Sequence, residues 1–174
     1  MSFSIGSIRR WSLSPAAAGT GVAFLALLAC VDARAAADCA ISTTGVAFGN
    51  YDPTVTTNTN ATGNLTVVCT HVSGGATRVN YTVALSAGSS GSYAQRRMRA
   101  GTATLNYNLF DSAALTRIWG NGSAGTALVP GSMLVNPGGN RVVQVTHPIY
   151  GRIPASQAVA IGNYSDTIVV TLTF

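Results

Sequence analysis

Downstream of residue 38 the chain breaks into short stretches in which apolar and polar residues alternate at period two. That period is the signature of strands with one buried face. Residues 40–48 make a first candidate. In residues 65–70, Leu65, Val67 and Cys69 share a face, and in residues 79–86 Val79, Tyr81, Val83 and Leu85 do. Residues 96–100 and 105–110 follow, the latter with Leu105, Tyr107 and Leu109 aligned. Residues 141–153 come next, where Pro148 predicts an edge or a bend because proline cannot donate to a ladder. The last stretch, residues 162–174, puts Ile168, Val170, Leu172 and Phe174 on one face and Thr167, Val169, Thr171 and Thr173 on the other. Its alternation runs to the last residue, so it needs a neighbour to hold it.

Turn-forming Gly, Asn, Pro and Ser separate these stretches, and helical periodicity is scarce. Seven strands at short intervals predict an all-β sandwich, with a closed barrel as the alternative. No fixed repeat supports a propeller or solenoid.

Composition agrees with this reading. The 174 residues are 47% hydrophobic and 9% charged. Every one of the ten basic residues is Arg and every one of the five acidic residues is Asp. The absence of Lys and Glu, both good helix formers, favours an extracellular β protein. Arg9 and Arg10, the apolar run at residues 21–31 and the small residues 32–37 read as a secretory signal cleaved after Ala37. The apolar run is too short for a membrane anchor. A second reading makes Cys30 a lipobox cysteine. Residues 38–174 then form one domain carrying seven Arg and four Asp. This mild basicity is not a nucleic-acid footprint. The cluster Arg96–Arg99 predicts a solvated strand edge that resists edge-to-edge pairing.

Candidate chemistry is thin. Cys39 and Cys69 form one pair in an exported chain, which predicts a disulfide. A metal site would have to recruit His71 and His147, and no ligand spacing groups them with the cysteines. There is no G-x-S-x-G elbow, no pair of carboxylates suited to glycoside hydrolysis and no phosphate-binding glycine loop. Both histidines therefore read as structural, and Trp119 as a loop packing residue. No enzymatic activity and no cofactor is implied.

Two stretches carry a family resemblance. DCAISTTGVAFGNYDP (38–53) with GNLTVVCT (63–70), and YGRIPASQAVAIGNYSDTIVVTLTF (150–174), resemble the opening and the ending of the spore coat protein U family. That family includes subunits of archaic, Csu-type chaperone–usher pili. The resemblance implies an incomplete immunoglobulin-like sandwich that lacks its G strand and is completed by donor-strand addition. Six core strands plus one edge segment fit that plan. It also implies that Cys39 and Cys69 join the first two strands. Ile168, Val170, Leu172 and Phe174 would face the open groove on the final F strand. The implied partners are a periplasmic chaperone, an outer-membrane usher and other pilus subunits, with a surface fibre for attachment and biofilm formation as the product. A spore-coat or extracellular matrix protein of the same fold is the alternative, and a secreted carbohydrate-binding or hydrolytic sandwich a more distant one. Only Asp38 precedes Cys39 in the expected mature chain, which predicts a terminal or accessory subunit that accepts a donor strand without giving one, or a coat protein that does not polymerise head-to-tail.

Overall fold

The computed structural model describes residues 4–5 and 36–174. Most of the expected signal, including Arg9, Arg10, residues 21–31 and Cys30, lies outside the described residues. The described strands are β1 (Ser4–Ile5), β2 (Ala37–Thr44), β3 (Thr59–His71), β4 (Thr77–Leu85), β5 (Arg96–Ala100), β6 (Ala103–Phe110), β7 (Val129–Val135), β8 (Val142–Ile153), β9 (Thr167–Ile168) and β10 (Val170–Thr173). One 3-10 turn, Gly88–Ser90, follows β4.

Two sheets form the body. One has five strands in the order β2-β3-β8-β6-β5, and the other has three in the order β10-β4-β7. All pairings within them are antiparallel. Because side chains alternate across a pleated strand, Leu65, Val67 and Cys69 of β3 and Val79, Tyr81, Val83 and Leu85 of β4 all turn inward and join one core. This is the all-β sandwich expected. Cys39 and Cys69 are direct ladder partners on β2 and β3 and are joined by a disulfide.

Three expectations are corrected. First, the strand count rises, because residues 129–135 form β7 on the edge of the smaller sheet. The Pro130-Gly131 pair reads as a turn in the sequence, yet an edge strand tolerates proline. Gly131 lies opposite Tyr81 and needs to be glycine: a Cβ there would stand 2.1 Å from the Tyr81 ring. Second, Pro148 lies inside β8, a central strand. It fits because β6 pairs with β8 only at Tyr150–Arg152, so at Pro148 the strand has a ladder only to β3. Third, the Arg96–Arg99 cluster is not uniformly solvated. Arg97 and Arg99 are exposed, but Arg96 is fully buried.

Trp119 is a core residue. Its indole N–H donates to the Val83 carbonyl at 3.0 Å. Around it, the Trp119 N–H bonds to Leu109 of β6 at 2.9 Å, while the Leu85 N–H of β4 bonds to the Gly120 carbonyl at 3.0 Å. The 112–128 loop thus ties the two sheets together at one end.

Candidate functional site

The last strand occupies an edge. β10 pairs with β4 from Val170↔Leu85 to Thr173↔Thr82, and its other side has no strand partner among the described residues. Ile168, Val170 and Leu172 are buried at 0%, 2% and 6% exposure, while Val169, Thr171 and Thr173 face outward. The strand therefore has an apolar inner face and an unpaired backbone edge. Such an edge is a template for another strand. Immediately upstream, β9 pairs in parallel with β1, Ser4 beside Thr167 and Ile5 beside Ile168. These two pairs thus form a separate two-stranded sheet just upstream of β10.

Phe174 departs from the other three groove residues. The ladder ends at Thr173↔Thr82, and Phe174, beyond it, is 47% exposed. With Thr173, Pro130 and Thr82 it borders a shallow hollow of about 700 Å³ over the small sheet.

Between residues 165 and 169 the chain crosses from one sheet to the other. Ser165 exchanges two backbone hydrogen bonds with Arg99 of β5, at 2.8 and 3.0 Å. Four residues later, the Ser86 N–H at the end of β4 donates to the Val169 carbonyl, and the Val169 N–H donates to Ser86 Oγ, both at 2.9 Å. A crossing strand leaves backbone groups without ladder partners, and buried polar groups must be satisfied. Asp166 does this. Its Oδ1 accepts from the N–H groups of Thr167 and Ser89, both at 2.9 Å, and its Oδ2 accepts from the Tyr107 hydroxyl at 2.7 Å. Gly88 has φ +68° and stands where any Cβ would meet the Asp166 carboxylate at 2.2 Å.

Arg96 completes this buried network. Its guanidinium donates to the Ser86 carbonyl at 3.0 and 2.8 Å, to the Trp119 carbonyl at 2.7 Å and to Asn108 Oδ1 at 2.9 Å. Its face lies over the Tyr93 ring, 5.3 Å from the centroid. Burial pulls its pKa below the ordinary arginine value, opposed by Tyr107, Tyr93 and Asp166. Burial, then the bond to Asp166, pushes the Tyr107 phenol up, so it stays a hydrogen-bond donor. Ser86 joins the two halves: its carbonyl holds Arg96 and its hydroxyl holds Val169. The shape of the open edge is therefore set by polar groups in the core. Alternation alone does not reveal this network, since Arg96 and Asp166 look like surface residues. The signals were Arg96 sharing a strand face with Met98 and Asp166 sharing one with Ile168 and Val170.

The two stretches that resemble the spore coat family meet in space. The Tyr51 hydroxyl donates to the Pro154 carbonyl at 3.1 Å and accepts from the Gln157 N–H at 2.7 Å. Phe48 packs edge-on to Tyr107, with ring centroids 6.0 Å apart.

The histidines are packed rather than grouped. The buried His71 places Nε2 3.1 Å from the carbonyls of Gly74 and Gly75. His147 Nε2 lies 2.9 Å from the Tyr81 hydroxyl, and its ring sits edge-on to Tyr81 and Trp119. Among the described residues no three His, Cys, Asp or Glu side chains cluster as metal ligands. Among the same residues, no helix is long and apolar enough to cross a membrane.

Residues 25–171 match the family described as the Spore Coat Protein U domain. The chain is 33% identical over 170 residues to Protein U of Myxococcus xanthus, covering 94% of this chain and 90% of that protein. Among solved structures, it is similar to a chain of the CsuC–CsuE chaperone–tip adhesion subunit pre-assembly complex from the archaic chaperone–usher Csu pili of Acinetobacter baumannii. That likeness has a TM-score of 0.51 and 22% identity, and covers 79% of this chain. It is a likeness of fold, and the present chain spans 40% of the length of that one.

Proposed function

The chain belongs to the spore coat protein U domain family, and from that premise we propose that it is a structural subunit of a secreted surface fibre, completed by a strand from another chain. In this reading residues 1–37 are a signal removed on export, and residues 38–174 are a pilin domain of the archaic chaperone–usher type. A periplasmic chaperone covers the open edge first. An outer-membrane usher then exchanges it for a neighbouring subunit, and the fibre serves attachment and biofilm formation.

The observation that carries this reading is the edge of β10: unpaired backbone beside a buried apolar face. Parallel pairing of Ser4–Ile5 with Thr167–Ile168 supports it, because removal of the signal would vacate that position too. Affinity in strand addition comes from main-chain hydrogen bonds, and specificity from pockets for alternate side chains.

The test is co-expression with the chaperone of the same assembly system. The full chain should accumulate in the periplasm as a complex, and deletion of residues 168–174 should abolish both complex and accumulation. A stable, soluble monomer made without any chaperone would refute the reading. The likeness to Protein U favours a second arrangement, a coat or matrix protein of the same fold. Immunogold labelling separates the two: thin fibres on growing cells indicate the pilus, and a continuous shell indicates the coat.

A further inference from the structure

A cavity of about 530 Å³ opens beside β9, between the ends of the two sheets. Its lining includes Ser86, Ser89, Arg99, Ser165, Asp166 and Thr167. This end of the acceptor edge is polar, whereas the Val170–Leu172 end is apolar on its inner face. The charges there are unequal. Asp166 is 5% exposed and its oxygens are occupied by three donors, and the buried Arg96 lies close enough to oppose its charge. Arg99 is exposed, and its guanidinium has no hydrogen-bond or ion-pair partner among the described residues. The backbone of the same residue is bonded to Ser165, which fixes the main chain of Arg99 beside the cavity that its side chain helps to line. The mouth, which Thr167 of β9 also lines, therefore carries one exposed positive charge.

We propose that the strand added at this edge carries a carboxylate side chain, Asp or Glu, beside Thr167, seated in this cavity against the Arg99 guanidinium. The proposal rests on the strand-acceptor reading and adds the chemistry of the partner. The incoming segment presents apolar residues along Val170 and Leu172, then a single acidic residue at the Thr167 end. Arg is suited to such a contact because its planar fork can meet both oxygens of a carboxylate.

The experiment extends the exported chain, freed of residues 1–37, beyond Phe174 with a short turn and a strand of alternating Val and Thr, which folds back along β10 and β9. The residue opposite Thr167 is Glu, Gln or Lys, and urea unfolding is measured with Arg99 and with Arg99→Glu. We expect the appended strand to stabilise the protein in every case. With Arg99, the Glu version should be favoured over the Lys version by about ten-fold in the unfolding constant, as expected of one partly exposed pair turned from attraction to repulsion. Gln should fall between them, and the order should invert in Arg99→Glu. High salt should shrink the difference. Equal stability of the three versions, or a Glu preference that survives Arg99→Glu, would overturn the proposal and leave strand acceptance intact. If no version gains stability over the unextended chain, strand acceptance itself fails.

Discussion

Replacing Arg96 by Met should be among the most damaging single changes to this fold, although Arg96 stands in a run of surface-like arginines. The guanidinium is fully buried and makes four hydrogen bonds, to the Ser86 carbonyl twice, to the Trp119 carbonyl and to Asn108 Oδ1. Met fills similar volume, so a cavity is a minor part of the effect. What is lost is the partner of the buried Trp119 carbonyl and of the partly buried Ser86 carbonyl, worth about 1–3 kcal/mol each when left unsatisfied. Asn108 Oδ1 keeps the Leu109 N–H at 3.0 Å and suffers less. The buried Asp166 also loses a nearby charge of opposite sign, a smaller contribution because the two side chains are not directly bonded. Together the two carbonyls put the whole at roughly 2–6 kcal/mol. Arg96→Lys keeps the charge but not the fork, and should fall between Met and wild type. Arg97→Met, on the exposed face one residue away, should stay within about 0.5 kcal/mol. Equilibrium urea unfolding with the disulfide intact measures all three. An Arg96→Met variant within 1 kcal/mol of wild type would show that the Arg96–Ser86–Asp166 cluster carries no stability.

Other expectations are simpler. Leu172→Asp puts a carboxylate on a buried position facing Val83, losing about 2 kcal/mol of apolar burial before the larger cost of the charge. Thr173→Asp, one residue on and exposed, should be mild, and equal periplasmic yields of the two variants would refute the assigned face. Gly131→Ala should cost about 1–3 kcal/mol by forcing the Tyr81 ring aside, visible as a lowered thermal midpoint and a changed Tyr near-UV signal. Burial holds His147 below the ordinary histidine pKa, so the unfolded chain takes up a proton before the folded one does. The resulting stability is complete above about pH 6.5 and is lost as pH falls through that value toward the lower folded pKa. His147→Gln should flatten this part of the pH–stability curve, and an unchanged slope would assign the dependence elsewhere.

The inward faces were legible from the sequence. A period-two pattern needs only the geometry of a single strand, so Leu65, Val67, Val79, Val83, Ile168, Val170 and Leu172 are buried where alternation places them. The pairing of Cys39 with Cys69 also follows from local composition and spacing. β7 was not legible, because Pro130 and Gly131 carry a turn signal that only an edge position and the facing Tyr81 ring override. Phe174 continues the alternation but leaves the core, since the β4 ladder ends one residue before it. Arg96 was misread for a deeper reason. Whether a guanidinium can be buried depends on acceptors brought to it, and these come from Ser86 and Trp119, ten and 23 residues away. The open edge itself is of this kind. Alternation says that the last strand has a face to bury, but a strand has two edges. Which one stays unpaired is decided by the order of strands in the sheet, which exists only once the distant segments β4 and β7 have come together beside it.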